Sequence, residues 1–199
     1  MEGELKMKAG KHGVSQDTAK NILFGAGTIH KNLTYTEGSG WNFDESIIGA
    51  TNGGSKLSIV PEFTDVAVDG ALVAVKGLKV KTGETATMEI NLAELSVDII
   101  KAATVGKDGT SVDATFDLIE SKAAIEEGDY FDNIAFVGMT LDGRKVIAIL
   151  ENALCTSGFE QEGKNKEGAV GAYTFTSHAD VDSDLDTLSW KIYYPKATI

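Results

Sequence analysis

At 199 residues, with 42% hydrophobic and 24% charged side chains, the chain has the make-up of a soluble globular domain large enough to bury a core. A net charge of −12 argues against nucleic-acid or anionic-membrane binding, which calls for phosphate-neutralising Lys and Arg. The single cysteine, Cys155, excludes an internal disulfide and a multi-cysteine zinc site within one chain.

The start, MEGELKMKAGKHGVSQD, is polar and lacks an apolar leader core, so a cytoplasmic product is expected. No apolar run approaches the roughly 18 residues of a membrane span. Charge is uneven: residues 1–112 hold 14 acids and 11 bases, residues 113–199 hold 16 and 7.

The first 55 residues read as an arm and long loop belonging to the same domain as a core over 56–199. Only Leu33–Thr36 looks like a strand there. Glycine-rich sequence fills the stretch from Glu37 to Lys56, a loop longer than the roughly 15 residues that usually mark function or mobility. It carries Trp41, Phe43, Ile47 and Ile48, and apolar residues on a loop are expected to order against another surface, most simply a partner chain.

Beyond it, Pro61 interrupts KLSIVPEFTDVAV and points to an edge strand or bulge. Asp69-Gly70, Asp108-Gly109 and Asp142-Gly143 sit between strand-like runs, where Asp-Gly supplies tight turns. Ala86, Met88 and Ile90 alternate with Thr85, Thr87 and Glu89, the period of a strand with one buried face. A helix is expected over about 91–103, with Asn91 as cap, Glu94 closing a capping box, and Leu92, Leu95, Ile99 and Ala103 at helical spacing.

SVDATFDL alternates as a further strand, and a helical turn is expected near Ser121–Glu127. KVIAIL, Lys145–Leu150, is apolar on both faces and reads as a central strand. Tyr173 and Phe175 alternate with Thr174 and Thr176, and TLSWKIYY gives a last strand. The whole predicts a mainly β fold: an antiparallel sandwich or barrel-like domain with one flanking helix.

Chemical motifs fail on spacing. Asp180, Asp182, Asp184 and Asp186 suggest a calcium loop, but its sixth and twelfth positions hold Leu185 and Lys191 instead of Gly and Glu. The reading left is a solvated acidic stripe. FGAGTIH has His30 where a dinucleotide loop needs its third glycine. His12, His30 and His178 are scattered and expected at the surface. Cys155 with His178 has no local support as nucleophile and base, and a buried inert thiol is the simpler reading. Asp113 and Asp117, four apart on a strand, would stand roughly 13 Å apart by strand rise. That exceeds the separation of about 9.5 Å that glycoside hydrolysis tolerates. No cofactor, metal or catalytic residues are expected, and the chain is read as a non-enzyme.

Over Ile22 to Pro195, the run from FGAGTIHKNLTYTEGSGWNFDESIIGATNGGSK through INLAEL, with the later GAYTFTSHAD and a strand ending in YYP, resembles the major tail protein (tail tube protein) family of long-tailed phages and prophages of Gram-positive bacteria. The resemblance implies a β-sandwich with a flanking helix, self-assembled into hexameric rings that stack as a hollow conduit for DNA ejection. It implies tape-measure, baseplate and terminator proteins as partners, no membrane binding, and a place in the virion tail after assembly in the host cytoplasm. It carries over no enzymatic residues. DNA repulsion by acids would suit such a lumen, for which Glu89, Asp113 and Asp117 are the candidates. Trp41, Phe43, Ile47 and Ile48 are the candidate inter-subunit residues. The alternatives are a monomeric β-sandwich recognition module, and a tube subunit of a phage-derived bacteriocin or injection device.

Overall fold

The computed structural model describes residues 13–15, 17–163 and 165–196. Its elements run α1 (Thr18–Asn21), β1 (Leu23–Lys31), β2 (Tyr35–Thr36), β3 (Gly40–Trp41), α2 (Phe43–Ser46), β4 (Thr51–Asp65) and β5 (Lys79–Leu92). They continue α3 (Val97–Thr104), β6 (Gly106–Asp108), β7 (Ile119–Ser121), β8 (Phe131–Thr140), β9 (Lys145–Cys155), β10 (Gly171–Ser177) and β11 (Trp190–Tyr193). The expected mainly β, antiparallel architecture is what forms.

Seven strands make one antiparallel sheet in the order β1-β8-β9-β10-β5-β4, with β11 also pairing β9. The edge of β9 is shared along its length: Trp190–Tyr193 face Leu150–Ile147, and Phe175–Ser177 face Cys155–Ala153. The segment leading into β4 returns to β1. Ile47 forms a bridge to His30, and the Ile48 N–H donates to the Ile29 carbonyl at 3.0 Å.

The alternation in β5 is real: Ala86, Met88, Ile90 and Leu92 are buried while Thr85 and Glu89 are exposed. They face Ile29, Ile134, Leu150, Tyr173 and Phe175 in the main core. KVIAIL is central as expected. Leu150 joins that core, while Ile147 and Ile149 join Leu33, Ala135 and Val137 in a second cluster. Trp41 and Phe43 pack over that second cluster, which explains a strand apolar on both sides.

Several expectations change. Helix α3 begins later than expected, capped by Ser96, whose Oγ accepts from the Ile99 N–H at 3.4 Å. Asn91 and Leu92 instead extend β5, pairing with Ala172 and Gly171. The Glu94 carboxylate accepts from the Ala50 N–H at 2.7 Å instead of closing a capping box. Ladder bonds on both sides of β5 outcompete a helix start there. Ile99, Ala102 and Ala103 then seat α3 on the main core.

SVDATFDL is not a strand. Asp113 accepts from the Thr115 N–H at 2.9 Å and from its hydroxyl at 2.7 Å, so an Asx turn folds the segment locally. The short β6–β7 ladder flanks this loop and gives it no neighbour to pair with. Of the three Asp-Gly pairs, Asp142-Gly143 makes a tight turn, with the Thr140 N–H donating to the Arg144 carbonyl at 2.9 Å and Gly143 at φ +86°. Asp69-Gly70 lies in the connection 66–78, and Asp108-Gly109 opens the loop 109–118. The helical turn expected near Ser121–Glu127 is displaced: Ser121 ends β7, and a short 3-10 turn forms at Glu127–Asp129.

Pro61 stands in β4, at the end of the sheet, one residue from a register shift between Glu62 and Phe63. Strand β1 was hidden by its glycines. Gly25 at φ +85° and Gly27 at φ +67° form the irregularity between Phe24 and Thr28, where β1 slips past β8. A Cβ at Gly27 would come within 2.4 Å of the Phe136 ring, so the dinucleotide-like spacing serves a bulge.

Candidate self-association surfaces

The aromatic segment folds back on its own sheet. Trp41 meets Tyr193 at 5.0 Å and Tyr35 at 5.3 Å between ring centroids, and lies 6.4 Å from Phe43. The Lys145 ammonium sits 3.9 Å above the Phe43 ring. Ile48 is buried in the main core, whereas Ile47 is 46% exposed. The loop of the sequence reading is thus a structured cover containing β3 and α2, and Ile47 is the most outward-facing of its four candidate residues.

Beneath it lies His30, which is 1% exposed and not a surface histidine. Ser46 Oγ donates to the Asn42 carbonyl at 2.8 Å, so it accepts from His30 Nδ1 at 2.9 Å. Nε2 is then left to accept from the Thr28 hydroxyl at 2.8 Å. Burial pushes the His30 pKa below its ordinary value, and the nearby Lys145 charge adds to that. A neutral ring satisfied at both nitrogens pins α2 to β1.

The candidate lumen acids do not share one strand face. Glu89 is exposed on β5 and ion-paired with Lys56 at 2.8 Å. Asp113 and Asp117 are exposed on the loop 109–118, and hydrogen bonds from Thr115 hold Asp113 below the usual carboxylate range.

The other chemical candidates are also placed. Asp180 accepts from the Asp182 N–H and Asp184 from the Asp186 N–H, both at 3.1 Å, so successive Asx turns replace the extended acidic stripe. Cys155 is buried, its thiol lies 3.7 Å from Ser157 Oγ, and burial raises its pKa. His178 Nδ1 donates to the Thr176 carbonyl at 3.0 Å. His12 lies outside the described residues.

The feature that sequence reasoning missed is an arm. Strands β4 and β5 continue past the core as a two-stranded hairpin whose residues from Pro61 to Asp65 are all exposed. The tip, VAVDGALVAVKGL, presents Val66, Val68, Val73 and Val75 to solvent, with Leu72 97% exposed. The signal was in the sequence: an aliphatic run around Asp69-Gly70 too long for a tight turn. Exposed aliphatic side chains gathered on one projection mark an interaction surface.

No family model and no curated protein matches the chain. Among solved structures it is similar to a chain in the virion of a native gene transfer agent particle, at 13% identity and TM-score 0.43, over 78% of this chain and 92% of that one. It is also similar to a chain in the tail of an empty gene transfer agent particle with C6 symmetry, at 14% identity and TM-score 0.42, over 86% and 96% respectively. Likenesses this distant assign no family.

Proposed function

We propose that the chain is a structural subunit of a phage-type tail tube, self-assembling into stacked hexameric rings around a conduit for DNA. The observation that carries this reading is the β4–β5 arm. A monomer has no use for an aliphatic hairpin tip held in water beyond its own core, whereas a subunit buries it on assembly. The outer edge of β4 supports the same reading, because it ends the sheet and, among the described residues, has no strand on its far side. Its pairing with a neighbour would extend the sheet around a ring. The acidic balance suits a conduit that must not hold DNA, with Glu89, Asp113 and Asp117 as wall candidates. Tape-measure, baseplate and terminator proteins are the partners such a tube requires.

The test is to express the chain alone, concentrate it, and follow mass by light scattering and shape by negative-stain electron microscopy. Rings or hollow tubes uphold the reading. A folded monomer that persists at the highest attainable concentration, across salt and pH, overturns it.

A further inference from the structure

A second apolar feature lies on the other side of the sheet path. A groove of about 430 Å³ opens where β1 and β8 meet α2, lined by Phe24, Thr28, His30, Phe43, Ile47 and Met139. Its volume falls within the range of about 300–1,000 Å³ that suits a bound group. Phe24, Ile47 and Met139 are strongly exposed around it, and Met139 is 46% accessible. Asp44 and Lys145 also line it, giving one charge of each sign.

Resting on the self-assembly reading above, we infer that this groove receives the tip of the β4–β5 arm from a second copy of the chain. Charge chooses the occupant. The tip carries one acid, Asp69, and one base, Lys76, among its exposed aliphatic residues. Each charge on the tip therefore finds an opposite charge on the groove, which fixes register and avoids a buried unpaired ion. Ile125 and Leu141 are single exposed aliphatic residues on their connections, and the two longer loops that project such side chains are 109–118 with Val112 and 178–189 with Val181 and Leu185. Their charged residues are all aspartates, so neither offers a base to Asp44.

The contact is heterologous. Tip and groove are different surfaces, so each docked pair still presents one free tip and one free groove. Such a contact closes into a ring or propagates along a filament. It also explains the rigid seat of α2. His30, held by Thr28 and Ser46, fixes the wall against which the tip packs.

Disulfide trapping tests the assignment. Leu72→Cys or Val73→Cys in one preparation is mixed with Ile47→Cys or Met139→Cys in another, then assembled and oxidised. All four positions are exposed, so folding is preserved, and the buried Cys155 stays out of reach. A disulfide forms only where Cα atoms come within about 7 Å. Tip-to-groove dimers on non-reducing gels, absent when Val112→Cys replaces the tip partner, uphold the inference. If the unmodified chain assembles but none of the four pairs cross-links above that control, the docking site is wrong and self-assembly stands. If the unmodified chain never assembles, both readings fall together.

Discussion

Arg144 Nη2 donates to the backbone carbonyl of Lys20 at 2.7 Å, joining the β8–β9 turn to the segment that leads into β1. The same guanidinium donates from Nη1 to the Lys196 carbonyl at 3.1 Å and from Nε to Asp142 at 2.7 Å. Arg144 is the sole arginine in the chain, and its fork holds the approaches to both termini at one turn. A lysine there supplies charge without the divergent donors. Arg144→Lys is expected to lower stability by about 1–2 kcal/mol, which is about 2–8 °C in melting temperature for a domain of this size. Hydrogen exchange should quicken at 17–22 and 190–196 and stay unchanged in β5. Unchanged exchange at both ends would remove the clasp from the account.

The histidine under α2 gives a pH dependence with a definite sign. Its pKa is lowered in the folded state, so the unfolded chain binds the proton more readily. The neutral ring's contribution is therefore complete above about pH 6.5, the ordinary histidine value, and is lost progressively as pH falls below it. Protonation also removes the acceptor that Nε2 offers to Thr28. Melting curves between pH 7.5 and 5 should show a decline in the wild type. His30→Gln should be less stable at pH 7.5 and show a shallower decline. Parallel curves for the two proteins would mean that His30 does not titrate with unfolding. Asp98 and Asp129, whose pKa values are also lowered, act in a separate window, losing stability as pH falls below about 4.

What the sequence made legible was decided by pairing partners. Ala86, Met88 and Ile90 alternate and have neighbours on both sides, so the pattern and the strand agree. Val112, Ala114, Phe116 and Leu118 alternate equally well, but an Asx turn at Asp113 closes before any neighbour arrives. Period two reports a possible face, not the partner that must cover it. The converse failure is β1, where Gly25 and Gly27 suggested a loop and in fact accommodate a bulge against Phe136. Trp41, Phe43, Ile47 and Ile48 were visible as apolar residues on a long connection. Their own sheet takes up most of that surface: KVIAIL shows in the sequence that β9 has a second apolar face, but only the path of the chain shows that Trp41 and Phe43 fold back to cover it.

The main core should dominate stability. Phe175 and Met88 are fully buried and face each other across β5 and β10. Phe175→Ala is expected to cost about 3–5 kcal/mol and Met88→Ala about 2–5 kcal/mol, from lost transfer energy and residual cavity. Val112→Ala, on the exposed 109–118 loop, should stay within about 0.5 kcal/mol. Denaturant titrations of the three proteins check the ranking. A small effect at Phe175 would contradict the packing of β5 on β10.

Gly27 should resist any side chain. Its φ of +67° is unfavourable for other L-residues, and an added methyl would also meet Phe136 and the Val137 carbonyl within 2.8 Å. Gly27→Ala is therefore expected to destabilise by more than the roughly 1 kcal/mol of a conformational preference alone. Gly143, at φ +86°, has open space around its missing side chain. Gly143→Ala should show the conformational cost by itself. Equal losses at the two sites would mean that β1 moves freely away from β8.

Two substitutions separate folding from assembly. Trp41→Ser with Phe43→Ser strips the cover from Ala135, Val137, Ile147 and Ile149, so the isolated subunit itself should melt earlier. Leu72→Asp changes a side chain that is 97% exposed, so the subunit should melt as before while the mass seen by light scattering falls. The expected pattern is thus a stability defect at the cover and an assembly defect at the tip. Should the double serine variant keep its melting temperature and lose only assembly, Trp41 and Phe43 would be inter-subunit residues after all. In that case their packing on the sheet would contribute little to the subunit alone. Full assembly of Leu72→Asp, with its charge placed at the summit of the arm, would remove the arm from the contact and leave the β4 edge to carry it.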